Sequence, residues 1–325
     1  MTMREVARLA GVSVATVSRY LNGGSIGDDK RELIAKVIEK TGYRPSASAQ
    51  SLRSGRSKLI GVIVSKISSE SIGRATDGIS SVLTAHGYQT LLASTNNNAD
   101  REPGFIELFE RHPVDGIILF ATHMTARHRA AIKVCHVPIV VNGQCVSGVS
   151  CLYNDEYGAA QELAKRLASS GARFPAYIGA PRADASAGAA RADGYRAGME
   201  ESGVNLSESR CLTAGLTLES GYEAAAELLA SDGQIDTISC ATDVMAAGAL
   251  RAIRDSGAHA PNGEPIRVSG FGDNQMVRML SGGIPTVHFG LKTGGIRAAS
   301  LLLDMVEGRE SLPVQIKLGY EIIGV

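Results

Sequence analysis

From Leu59 onward, short apolar runs alternate with longer stretches whose apolar residues recur at helical spacing. LIGVIV, YQTLLAS, VDGIILFA, VPIVVN, FPAYIGA, TISCAT and IRVSGFG read as strands. Between them, SIGRATDGISSVLTAHG, YGAAQELAKRLASSG, ARADGYRAGMEESG, SGYEAAAELLASDG and VMAAGALRAIRDSG read as helices with glycine at their ends. Parallel strands need a long crossover between them, so this alternation predicts an α/β architecture. It runs for about 265 residues, more than one open sheet usually needs, which predicts two doubly wound subdomains with a cleft between them. No heptads follow Leu318, so no coiled coil is expected to build a higher oligomer.

The first 42 residues follow another rule. MREVARLA places Val6, Leu9 and Ala10 at helical spacing, VATVSRYL does so with Val14, Val17 and Leu21, and LIAKVIEK with Ile34, Val37 and Ile38. Ser13 is a natural N-cap for the second helix, Asn22-Gly23-Gly24 its stop, and Gly42 the end of the third. Two helices joined by a short glycine-containing turn form an all-α helix-turn-helix head, whose second helix must be slim enough to enter a major groove. Charge agrees with that reading. Residues 1–58 carry 11 Lys and Arg against 5 Asp and Glu, a net of +6, although the whole chain is balanced at 33 of each. A basic head on an acidic body suits a polyanion that meets the head alone, although a solvated basic surface fits the count equally well.

Between the two regions lies SASAQSLRSGRS, bounded by Pro45 and Gly55, with Leu52 as its one sizeable apolar side chain. The segment is too short to fold on its own and is expected to order only when something holds it. The boundaries expected are a head at 1–44, a hinge at 45–57 and a body at 58–325.

Other function classes find little footing. No apolar run approaches a membrane span and the N-terminus lacks the pattern of a secretory signal, so the expected location is cytoplasmic, with no membrane partner. Five scattered cysteines without C-x-x-C spacing are expected to be small buried hydrophobes, and neither metal nor cofactor is called for. Nucleotide-loop, metalloprotease and nucleophile-elbow motifs are missing, so no enzyme is expected, and His123 and His128, five apart, are taken as surface residues.

With head, linker and body in place, the chain resembles the LacI/GalR family of bacterial regulators over nearly its whole length. The residues that carry the resemblance are VARLAGVSVATVSRYLNG (6–23), TGYRPSASAQSLRSG (41–55), ATDVMAAGALRAI (241–253), VSGFGDN (268–274) and IPTVHFGLKTGGIRAASLLLDMV (284–306). The resemblance implies a periplasmic-binding-protein-like body and a homodimeric repressor that reads a pseudo-palindromic double-stranded operator, with a sugar or related metabolite in the cleft altering DNA affinity. Val14 and Ala15 match the base-reading positions, followed by Thr16, Ser18, Arg19 and Asn22. Arg19 can bond a guanine edge in bidentate fashion, and Thr16 and Ser18 can reach phosphate or a base edge. Val14 can offer only apolar contact to DNA, or alternatively pack against the first helix. Leu52 matches a leucine that relatives wedge into the minor groove; its other reading is an ordinary linker residue.

In the body, Asp243 falls between a strand and a helix, at the sheet edge where α/β folds bind ligands, and Asn142 and Asp273 follow strands. Arg191 occupies the position of an arginine that relatives aim into the cleft, and Phe289 one where relatives often carry glutamine. The first body strand departs from many relatives: VSKISSESIG replaces an asparagine-proline-aromatic sequence and brings Lys66 with Ser65, Ser68, Ser69 and Ser71. A lysine and hydroxyls ahead of a helix suit a phosphate, the alternative being a solvated serine-rich loop. This stretch, with YIGAP and CATDVMAAG, also resembles the trehalose operon repressor branch, which implies trehalose 6-phosphate as effector. An unphosphorylated sugar or a purine is the alternative.

Overall fold

The computed structural model describes residues 1–43, 55–112 and 114–324, which fall into two compact units, Met1–Lys58 and Leu59–Val325. In the first, Thr2 opens α1 (Met3–Leu9) with a reciprocal cap. Its hydroxyl accepts from the Glu5 N–H at 3.3 Å, and its own N–H donates to the Glu5 carboxylate at 2.7 Å. After a turn at Gly11, Ser13 caps α2 (Val14–Leu21), and α3 (Asp28–Thr41) ends at Gly42 in the left-handed conformation glycine permits, φ +62. The small core is Val6, Ala7, Ala10, Val17, Ile34 and Tyr43. Val17 and Ile34 are fully buried, each stabilising the head by roughly 1.5–3 kcal/mol. Two expected core positions differ: Leu9 is 53% exposed while Ala7 is buried, and Val14 is 42% exposed. Val17 takes the inward position on α2, whereas Val14, on the same stripe, is the first residue of that short helix and lies at its open end.

The second unit holds twelve strands and nine further helices among the described residues, arranged as two lobes. Lobe 1 is a sheet ordered β11-β5-β4-β3-β1-β2, built from β1 (Leu59–Val64), β2 (Gln89–Ser94), β3 (Gly116–Phe120), β4 (Ile139–Asn142), β5 (Ser150–Asn154) and β11 (Gln315–Leu318). Around it lie α4 (Glu70–Ala85), α5 (Glu102–Arg111), α6 (Ala126–Val134) and α12 (Leu291–Val306). Lobe 2 is ordered β12-β10-β9-β8-β6-β7, from β6 (Pro175–Gly179), β7 (Cys211–Thr213), β8 (Thr237–Cys240), β9 (Arg267–Phe271), β10 (Thr286–Phe289) and β12 (Tyr320–Ile323). Its helices are α7 (Glu156–Ser169), α8 (Arg191–Glu201), α9 (Leu218–Ser231), α10 (Asp243–Ser256) and α11 (Gln275–Ser281). All pairings are parallel except β10 with β12, where Phe289 faces Tyr320. Among the described residues no helix is long and apolar enough to cross a membrane.

The central strands are buried on both faces, which explains their unbroken runs of β-branched and aliphatic residues. Where two helices approach closely, glycine makes room: a Cβ at Gly78 of α4 or Gly295 of α12 would strike the partner's backbone. The chain passes between lobes at three places, from β5 into α7, from β10 into α12 and from β11 into β12. Three thin crossings in place of a broad interface leave the lobes able to pivot.

Candidate functional site

In both sheets the first strand has neighbours on each side, β2 and β3 around β1, β7 and β8 around β6. Loops therefore diverge at the carboxyl ends of these strands and leave a crevice. The two crevices face one another across a cavity of about 550 Å3. Lining it are ends of β1, β3, β4 and β5 from lobe 1 and of β6, β8, β9 and β10 from lobe 2, with the N-termini of α4 and α10 pointing in. Those helices are capped by Ser69, which accepts from the Ile72 N–H at 3.5 Å, and Thr242, which accepts from the Met245 N–H at 3.3 Å.

On the lobe 2 wall, Arg191 is the best-held group. Its Nε donates to Glu156 at 2.7 Å, Nη1 donates to the Ala241 carbonyl at 2.5 Å, and the guanidinium lies 4.8 Å from the Phe271 ring centroid and 5.6 Å from that of Phe289. Burial alone would lower its pKa, but the negative groups around it, Glu156 foremost, together offset that and raise it, so the guanidinium stays charged. A short π-helix, Ala185–Ala190, precedes it, opened by Asp184, whose carboxylate accepts from the Ser186 and Ala187 N–H groups at 2.9 Å. Asp243 is 2% exposed. One of its oxygens accepts from the Thr286 hydroxyl at 2.6 Å and the other from the Asn274 N–H at 2.7 Å, while burial still holds its carboxyl above the ordinary aspartate range. Each oxygen keeps one acceptor direction for a ligand.

The lobe 1 wall is wetter. Lys66 is exposed, its ammonium without a partner among the described residues, beside Ser65, Ser68, Ser69 and Ser71 on the same wall. Asn142 lines the cavity from the end of β4.

Thus Lys66, Asn142, Arg191, Asp243 and Phe289 come together in one cavity. Asp273 does not. It sits at φ +48, with one carboxylate oxygen on Arg278 at 3.0 Å and the other on His288 at 2.9 Å, so the turn that follows GFG directs it away from the cavity. Sequence reasoning missed Glu156, Phe271, Asn274 and Thr286, because their partners lie on other strands and no local spacing reveals them. His128 also departs from expectation: it is fully buried, with Nε2 3.2 Å from Glu102 and Nδ1 2.7 Å from the Thr125 hydroxyl. His123 is exposed. Of the cysteines, Cys151 and Cys240 are buried and Cys135 and Cys211 half-buried, but Cys145 is exposed on the loop after β4. Among the described residues no three His, Cys, Asp or Glu side chains gather as a metal site.

In the first unit, α2 turns Val14, Ala15, Arg19 and Asn22 to solvent. Thr16 and Ser18 are half-buried: the Thr16 hydroxyl is 2.9 Å from that of Ser13, and the Asn22 side chain donates to Ser18 at 3.5 Å. Val14 is 42% exposed and so is not a buried core position against the first helix. Leu52 lies outside the described residues.

Residues 2–46 match the profile of bacterial regulatory proteins of the lacI family, and residues 57–320 match that of periplasmic binding proteins and the sugar binding domain of the LacI family. The chain belongs to the LacI family. It is a DNA-binding transcriptional repressor with a sugar-binding domain. Relatives are regulators rather than enzymes. The Sucrose operon repressor of Staphylococcus xylosus is 29% identical over 93% of this chain and 93% of its own length. The regulator TreR of Salmonella typhimurium is 27% identical, with 95% of each chain covered. Among solved structures, the transcriptional regulator CelR-cellobiose complex superposes with a TM-score of 0.75 at 26% identity, covering 100% of this chain and 98% of that one.

Proposed function

We propose that this LacI-family repressor works as a homodimer whose two heads read a pseudo-palindromic operator and whose cleft takes a small sugar phosphate, trehalose 6-phosphate being the ligand to try first. The head would comprise residues 1–44, the hinge 45–57 and the effector-binding, dimerising body 58–325. Val14, Ala15, Arg19 and Asn22 would meet base edges, Thr16 and Ser18 the backbone, and Leu52 the minor groove. A repressor of this kind acts where its operator is, in the cytoplasm.

The effector reading is carried by the unpartnered Lys66 ammonium among four serines beside the N-terminus of α4. That is a cation, hydroxyl donors and a positive helix end in one place, which suits a phosphate. Arg191 and Asp243 on the opposite wall, and Asn142 on the same wall as Lys66, offer donors and acceptors for sugar hydroxyls, while Phe271 and Phe289 back the guanidinium. Sucrose and cellobiose, in the names of a relative and of a solved likeness, are disaccharides, which favours a ligand of that size. Self-association is favoured by an apolar patch on lobe 2, where Met276, Met279 and Leu280 are 66–80% exposed beside Leu218 and Val244.

Calorimetric titration of the full chain with trehalose 6-phosphate and with trehalose tests this. The expected result is tight binding of the phosphate form alone, weakened about tenfold in Lys66→Ala, the loss of one charge-assisted contact worth about 1.4 kcal/mol. Equal binding of both sugars would move the assignment to an unphosphorylated effector.

A further inference from the structure

Two contacts cross the cleft mouth from α4 of lobe 1 to the loop between β9 and α11 of lobe 2. The Glu70 carboxylate accepts from the Asn274 side-chain amide at 2.5 Å and from the Gln275 N–H at 3.4 Å. Arg74, one turn further along α4, donates from Nη1 to the carbonyls of Gly272 and Asp273, both at 3.4 Å, and lies 3.9 Å from Glu70. Across the cavity a third link joins the lobes, the Ser186 hydroxyl donating to the Gly143 carbonyl at 2.7 Å.

What sets the first pair apart is where it leads. Asn274 holds Glu70 with its side chain and Asp243 with its backbone N–H. A buried carboxylate on the cavity floor is therefore joined, through one residue, to a carboxylate on the opposite lobe. Glu70 and Arg74 are 31% and 26% exposed, so water can replace these bonds when they open, and their net worth is modest. Modest bonds suit a reversible closure better than a rigid one.

We propose that Glu70, Arg74 and Asn274 form a clasp that holds the two lobes closed and passes effector contacts at Asp243 to the lobe opposite. The clasp rests on the reading of the chain as an effector-controlled repressor. It needs no particular sugar. Opening it lowers the fraction of molecules whose two walls are poised together, and ligand affinity falls by that fraction.

The test uses the full chain with a donor and acceptor dye introduced through non-canonical residues at Glu107 on α5 and Glu223 on α9, both exposed. Wild type should show one narrow distance distribution. Glu70→Ala and Asn274→Ala should each add a longer-distance population, the double variant should add no more than either alone, and Arg74→Lys should fall between. Trehalose 6-phosphate at saturation should restore the wild-type distribution, with its affinity about three- to tenfold weaker in the variants. Distributions identical to wild type in both single variants would overturn the clasp. Variants that open but are not closed by the sugar phosphate would uphold the clasp and overturn the choice of effector. Glu70→Gln, which keeps the side chain's size, replaces Glu70→Ala should the latter fail to fold.

Discussion

On the lobe 2 wall of the cleft, every polar side chain that points inward is already held: Arg191 by Glu156, Ala241 and two rings, Asp243 by Thr286 and Asn274, Asp184 by its own helix cap. On the lobe 1 wall, Lys66, Ser65 and Ser68 stand in a solvated loop, with Ser69 and Ser71 at the start of α4 and Asn142 nearby. Groups fixed in advance lose little freedom when a ligand arrives and impose their geometry on it, whereas groups on a wet loop adapt and can change in sequence at small cost to the fold. On the proposed reading, lobe 2 would orient the sugar and lobe 1 would set its chemical identity.

The most damaging way to break that division is to remove the buried pair at its centre. Arg191→Ala leaves the Glu156 carboxylate buried without its partner and should lower unfolding stability by about 3–5 kcal/mol while abolishing sugar binding; denaturant melts and calorimetry together would show it. A variant that binds the effector normally would mean that lobe 2 does not orient it. Thr286→Val takes one hydrogen bond from Asp243 at nearly constant volume. The expected cost is about 1–3 kcal/mol, seen as a drop in Tm, and sugar affinity should fall with it. Lys66→Ala, on the adaptable wall, should leave Tm unchanged, and a fall there would erase the contrast.

The smallest effect is on pH dependence. Burial raises the Asp243 carboxyl, so the folded state holds that proton more tightly than the unfolded chain, whose reference value is 3.8. Stability from this group is thus greatest below that pH and declines as pH rises through the folded-state value. Asp243→Asn removes the titration, so its stability should fall less steeply than wild type above about pH 4, whatever its absolute level. Parallel profiles would show that Asp243 ionises as freely folded as unfolded.

Much of the fold was legible because it rests on local pattern. Ser13 and Gly42 end helices through bonds and dihedrals set within four residues, and LIGVIV or TISCAT are continuous because both faces of a central strand are covered. The edges were less legible. β12, at a sheet edge, runs antiparallel to β10, and β7 spans only three residues, too short for any period to register. Leu9 and Val14 lie on helices too short for the stripe to fix which neighbour turns inward. His128 shows the same limit in the body. Its burial depends on Glu102, 26 residues away, and a spacing of five from His123 could not reveal that partner.

The amino-acid sequence by itself determined a basic helix-turn-helix head and a body of alternating strands and helices, since composition, caps and periodicity act between near neighbours. It also placed Lys66, Asn142, Arg191, Asp243 and Phe289 as candidates for one site. Only the tertiary structure decided that these five share a cavity while Asp273 turns to Arg278 and His288, and that Asn274 ties Asp243 to Glu70. The reason is physical: each of those bonds joins a carboxylate to a guanidinium, imidazole or amide group 5 to 204 residues away, and the longest of them depends on how two sheets bring their carboxyl ends face to face.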